Sequence, residues 1–342
     1  MKKHVWTICF AAVLFTFTVY LALDTFVLSA VYERNATKMN LSMFSALPEG
    51  AGTQESDADA GAPGTDADVP GTDAGATGTD ADVPETDEGA VPADTGAAAP
   101  AYSDEYTYSD GNIQIRLAEY EQYGTKIYVA DVTLDSAYYL RSAFAKDVYG
   151  KNVTATTSSI AAANDAILAV NGDFYGAREK GYVIRNGVVY RASAQGADVL
   201  CIRVDGTMEI VNDREYTANE LVESGVWQAF TFGPALLENG EVVVSETDEV
   251  GRAKASNPRT AIGLLGANRF LFVVSDGRTD ESEGLSLYEL ASFMKSLGAQ
   301  TAYNLDGGGS STLYFGGRVV NNPTSGGRIK ERAVSDIVYI GI

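Results

Sequence analysis

The residues able to do chemistry gather in short clusters, each at the end of an apolar run. Asn171-Gly-Asp173 closes the run Ala166–Val170. Asn257-Pro-Arg259-Thr260 opens a second run, and Ser275-Asp276-Gly-Arg278 closes a third. A fourth cluster follows the run ending at Tyr303: Asn304-Leu-Asp306-Gly307-Gly308-Gly309-Ser310-Ser311-Thr312. Glu331-Arg332, before the last apolar run, is a fifth. Side chains at strand ends can leave the core and face a shared cleft. Three successive glycines cost backbone entropy on folding, so an ordinary connection has little reason to hold them. They serve where bare N–H groups approach a ligand closely or where φ must be positive. The loop is not a Walker phosphate loop, because the lysine of G-x-x-x-x-G-K-[ST] is missing. Each cluster alone also admits a plain structural reading: a flexible hairpin for the glycines, turn signals for Asp276-Gly277 and Asn257-Pro258, an Asx turn for Asp173.

Composition narrows the chemistry. The single histidine is His4, so the rest of the chain offers no Ser-His-Asp or Cys-His pair and no histidine-ligated zinc. Carboxylates, Arg, Lys, Tyr, hydroxyls and amides remain. The two cysteines, Cys9 and Cys201, have no metal-type spacing, and Cys201 reads as a small core residue. Net charge is −21, but residues 48–100 hold 13 Asp or Glu and no Lys or Arg, leaving only −8 elsewhere. The acidity belongs mainly to that segment. Such a surface disfavours nucleic acid, and an anionic substrate would need a local cluster of Arg.

Several elements must position these clusters. Residues 1–4 form a basic tail, and Val5–Leu23 is 19 residues without a charge. With the apolar run continuing to Val31, this predicts an uncleaved signal anchor over 5–31. Residues 1–4 would then be cytoplasmic, the rest outside, and the chain single-pass in the cell membrane. Residues 32–101 read as a juxtamembrane stretch and a disordered acidic linker with Gly-Thr-Asp-Ala repeats. From 102 to 342 the composition is globular. Strand patterns recur in hairpins around Asn186-Gly187, Asp205-Gly206, Asn239-Gly240 and Gly266-Ala-Asn268. Ser286 with Glu289 is a capping box opening a helix to Leu297, and Thr217 with Glu220 suggests a shorter one. A short Ala-rich helix is expected over 157–165. The predicted fold is α+β: a mainly antiparallel or mixed sheet core rich in hairpins with a few helices, after a transmembrane helix and a linker.

The order of the clusters resembles the phosphodiester glycosidase family. The matching segments are Asn171-Gly-Asp-Phe-Tyr175, Asn257-Pro-Arg-Thr-Ala-Ile-Gly263, Asp276-Gly-Arg278, Asn304 through Thr312, Asn322-Pro-Thr324 and Glu331-Arg332. The resemblance covers about residues 129–342. Tyr175 stands where the family commonly has Phe, and Thr324 where it has Ser. The anchor and linker are not part of the likeness.

The resemblance implies cleavage of the C1–O bond of a sugar-1-phosphodiester, such as an N-acetylglucosamine-1-phosphodiester, in envelope or exopolysaccharide glycan. Phosphate is already a good leaving group, but its charge must be neutralised. That suits bidentate Arg259, Arg278 and Arg332. The cationic transition state needs a carboxylate, for which Asp306 and Asp173 come first and Asp276 next. The Gly307, Gly308 and Gly309 N–H groups, with Ser310, Ser311 and Thr312, would hold phosphate or a developing oxyanion. Asn171 and Asn304 would read sugar hydroxyls or the acetamido group. No cofactor is required. A divalent cation among Asp173, Asp276 and Asp306 stays open, though no ligand spacing demands one. Two other readings remain: a carboxylate-metal phosphodiesterase breaking P–O, and a non-catalytic surface factor that binds or assembles glycan.

Overall fold

The computed structural model describes residues 5–26, 30–31, 102–103, 106–248 and 256–342. The expected acidic linker lies outside the described residues. Val5–Phe26 is an α-helix, exposing Phe10, Phe15, Phe17 and Tyr20. Among the described residues no helix is long and apolar enough to cross a membrane. The fold therefore gives the expected anchor no support.

Three sheets surround one core. The largest has nine strands. Its centre is the order Thr301–Asn304, Thr260–Gly266, Arg269–Ser275, Thr125–Leu134, Ile113–Gln122. A five-stranded sheet centres on Leu313–Phe315, Leu168–Asn171, Asp336–Ile340 and Leu140–Phe144. A second five-stranded sheet carries Gly181–Arg185, Val226–Phe230 and Asp198–Arg203. Every strand pairing among the described residues is antiparallel. The expectation of antiparallel or mixed pairing resolves to the first.

Alternation along the strands explains the layering, because successive side chains point to opposite faces. Val132, Phe272 and Ile262 from the large sheet meet Val170 and Val338 from one small sheet and Leu200 and Phe230 from the other. Their sequence neighbours point outward, and each sheet covers that outer face with a helix. Leu287–Ser296 lays Leu290, Phe293 and Met294 on Val129, Leu271 and Val273. Ala218–Glu223 lays Leu221 and Val222 on the layer holding Ile184 and Cys201. Thr157–Ala163 lays Ile160 and Ala161 on the layer holding Ala169, Ile337 and Tyr339. Both predicted capping boxes form, at Ser286/Glu289 and Thr217/Glu220.

Register brings the chemistry to one end. Thr260 pairs with Val274, and Ala261 with Asn304. The start of one strand and the ends of its two neighbours therefore lie side by side, carrying Arg259, Asp276 and Asp306. Asn171, at the end of its strand in the second sheet, reaches the same place.

Candidate active site

Asn171 is the fastening that joins the sheets. It is fully buried, and its Nδ2 donates to the Asp306 carbonyl at 2.7 Å. Its Oδ1 accepts from the Thr260 hydroxyl at 2.9 Å and from the Thr312 N–H at 3.3 Å. The Asp306 N–H donates to the Gly172 carbonyl at 3.3 Å. Both ends of the glycine turn are thus tied to the segment after Val170. Asn171 was expected to read sugar hydroxyls; its polar atoms instead hold protein. Asn304 is similar on one side only: Nδ2 donates to the Gly233 carbonyl at 2.8 Å, while its buried Oδ1 has no hydrogen-bond partner among the described residues. Ser311 Oγ and Thr312 Oγ1 share that condition. Unpaired buried polar atoms are costly and infrequent, and three belong to this one stretch.

Each glycine of the turn answers to a different neighbour. A Cβ on Gly307 would sit 2.8 Å from the Pro258 carbonyl oxygen, one on Gly309 3.0 Å from the Ser325 side chain, and one on Gly308 2.9 Å from an Arg278 guanidinium nitrogen. Gly308 also has φ +63°, which suits glycine.

Two guanidinium groups flank this turn. Arg278 is exposed and is steadied by Asn257 Oδ1, to which it donates at 2.8 Å. Arg332 keeps 42% of its side chain exposed and pairs with Asp306 Oδ2 at 2.9 Å. It also donates to Ser310 Oγ and to the Gly307 carbonyl. Asp306 is 8% exposed. Burial raises its carboxyl pKa above the usual carboxylate range, and the nearby Arg332 and the Ser310 hydroxyl only partly offset this.

The other predicted residues do different work. Asp173 is 1% exposed. Its oxygens accept the Tyr175 and Thr231 N–H groups, and Oδ1 lies 2.9 Å from Arg185 Nη2. Arg185 also donates to Asp336 Oδ2 at 2.8 Å. This makes a buried Asp173–Arg185–Asp336 cluster. Asp276, 3% exposed, accepts from Tyr128, Asn321 and the N–H and side chain of Asn322. It fastens the 321–322 segment. Arg259 is 3% exposed, and its Nε donates to the Leu285 carbonyl at 2.8 Å. It braces the chain beneath Gly307 and does not present an open grip. Glu331 accepts the Ser158 N–H at the start of the 157–163 helix. Among the described residues no group of three or more His, Cys, Asp or Glu is placed to hold a metal ion.

Sequence reading missed Tyr128, Asn321, Arg185 and Asp336. The last two had a signal. A charge inside or at the edge of an otherwise apolar strand is rarely left unpaired, and Tyr-Val-Ile-Arg185 and Asp336-Ile-Val-Tyr-Ile both carry one.

A model of the phosphodiester glycosidase (NAGPA) family matches residues 164–341, just over half of the chain. The chain belongs to the phosphodiester glycosidase family. Human N-acetylglucosamine-1-phosphodiester alpha-N-acetylglucosaminidase is 30% identical over 194 residues, covering 50% of this chain and 36% of the human protein. The SPbeta prophage-derived uncharacterized protein YomE of Bacillus subtilis is 31% identical over 200 residues, covering 56% of this chain and 30% of YomE. The matched region thus spans about a third of each relative. The fold is also that of the zebrafish N-acetylglucosamine-1-phosphodiester alpha-N-acetylglucosaminidase catalytic domain, auto-inhibited by its pro-peptide. That likeness has TM-score 0.54 and 19% identity, and covers 71% of this chain and 86% of that one. A hypothetical protein from Synechocystis has TM-score 0.51 and 17% identity, with 71% and 64% covered.

Proposed function

We propose that this phosphodiester glycosidase family member hydrolyses a sugar-1-phosphodiester, of the N-acetylglucosamine-1-phosphodiester class, at the C1–O bond. One observation carries the reading: a buried carboxylate, Asp306, sits at the mouth of the triglycine turn with Arg332 bound to it and Arg278 over Gly308. Arg278 and Arg332 hold the phosphate and neutralise the charge that builds on its bridging oxygen. Asp306 lies under the sugar and stabilises its developing positive charge. Water adds to C1, and the C1–O bond breaks with its electron pair leaving on the phosphate. The water proton passes to Asp306, whose raised basicity suits it to the task. Asp173, Asp276, Arg259 and Asn171 position these groups. The names of the relatives, the family match and the absence of histidine from 102–342 support this scheme.

Hydrolysis in water labelled with heavy oxygen tests it. Label in the released sugar is expected. Label in the phosphate would mean P–O cleavage, and binding of glycan without turnover would mean a surface factor. We also propose a membrane-tethered exported enzyme acting on envelope glycan. The basic start and uncharged 5–23 run support it, and recovery of the full chain in the soluble fraction would refute it.

A further inference from the structure

One aromatic side chain beside the site has no part in the scheme above. Phe174 is 42% exposed, whereas Asp173 and Tyr175 on either side are 1% exposed. Its backbone is at φ 64°, ψ 27°, a left-handed conformation that a bulky residue seldom adopts. Such conformations persist where the surroundings over-determine them, and they gather at ligand sites. Here both flanks are fixed. Asp173 Oδ1 accepts the Tyr175 N–H across Phe174 at 3.2 Å, and Oδ2 accepts the Thr231 N–H at 3.0 Å. Arg185 anchors the same carboxylate. Tyr175 stacks on Tyr149 at 5.2 Å between centroids and meets Phe144 edge-on at 5.3 Å. With its neighbours held inward, the Phe174 ring is left to solvent. Its place is next to the chemistry. Gly172 accepts the Asp306 N–H, and two residues of chain span at most about 7 Å. The Phe174 backbone therefore starts close to the segment that holds Asp306.

We propose that Phe174 is the platform on which the sugar ring of the substrate rests. This builds on the hydrolase reading and extends it. A pyranose has a face of C–H groups that an aromatic ring covers well, while the arginines take the phosphate at the other end. The arrangement selects for a sugar and is indifferent to phosphate alone.

The test uses the full chain and two variants. Glycine accepts φ 64°, so F174G is expected to melt no lower than the native chain. With a methyl phosphodiester of N-acetyl-α-glucosamine 1-phosphate, its KM is expected to rise about tenfold and its kcat to change less than threefold. F174W should restore the native KM. Its fluorescence, after subtraction of the native chain, should change on titration with N-acetylglucosamine and not with inorganic phosphate. An unchanged KM in F174G, or a loss of activity that tracks a lower melting temperature, would overturn the platform. So would an F174W signal blind to the sugar. If the native chain turns over nothing while F174W responds to the sugar, the hydrolase reading falls and the platform stands.

Discussion

At the scale of single residues, burial and an arginine pull on Asp306 in opposite directions, and burial wins. A base that must be ionised loses activity as pH falls through its pKa. The acidic limb of kcat/KM should therefore lie above the ordinary carboxylate range of about 3.9–4.3. R332A removes the partner that lowers this pKa, so the limb should move to higher pH and KM should rise. A limb that stays put would sever the link between the two residues. D306N should lose about 10²–10⁴-fold in kcat, the usual worth of a positioned proton acceptor, with an unaltered circular dichroism spectrum. The clusters holding these residues were legible because polar groups interrupt apolar runs. Which aspartate would lie beside the glycine turn with an exposed arginine for partner was not. The partners that occupy Asp173 and Asp276 are Thr231, Arg185, Tyr128 and Asn322, and only folding reveals them.

At the scale of elements, the glycine turn and the helices invite opposite expectations. G307A forces a methyl group against the Pro258 carbonyl at 2.8 Å. Backbone there cannot step aside as a side chain can. The variant should lose at least tenfold in activity and melt lower, both measured on purified protein. S286A deletes a capping side chain on the far face of the large sheet. It should cost about 1 kcal/mol, or ~2–4 °C in Tm, while activity per folded molecule holds. Alternation, capping pairs and an Ala-rich run made many strands and all three helices of the 102–342 region readable, but Ile113–Gln122 runs well past the pattern that signals it, and Leu140–Phe144 and Val226–Phe230 gave no usable signal. The sorting of strands into three sheets was not readable. Sheet membership depends on pairings such as Ile337 with Asn171, which local pattern does not encode. The three glycines announced a close approach, but not that Pro258, Arg278 and Ser325 would be what approaches.

At the scale of the molecule, the family match begins at residue 164, yet the core does not. Ile113–Gln122 and Thr125–Leu134 pair along ten residues each, and the second of them pairs with Arg269–Ser275. A fragment 164–342 would bare that edge and remove Ile115, Val132 and Leu140 from the common core. It should be insoluble or unfolded by circular dichroism, whereas 102–342 should melt cooperatively. Asp336 gives a second handle. Burial beside Asp173, against the pull of Arg185, raises its pKa to about 7. A carboxyl raised on folding adds stability that is complete below its unfolded pKa, about 4, and lost as pH climbs through the folded one. Between about pH 4 and 7, D336N should therefore show a flatter dependence of Tm on pH than the native chain. An identical slope would mean that Asp336 stays ionised throughout. Asn171 carries a last consequence. One buried amide fastens the loop to strands of two sheets, so those backbone protons have no small local opening through which to reach solvent. In deuterated buffer, the Thr312 and Asp306 amides should trade hydrogen as slowly as the slowest core strands, making this a turn that breathes only when the whole fold lets go.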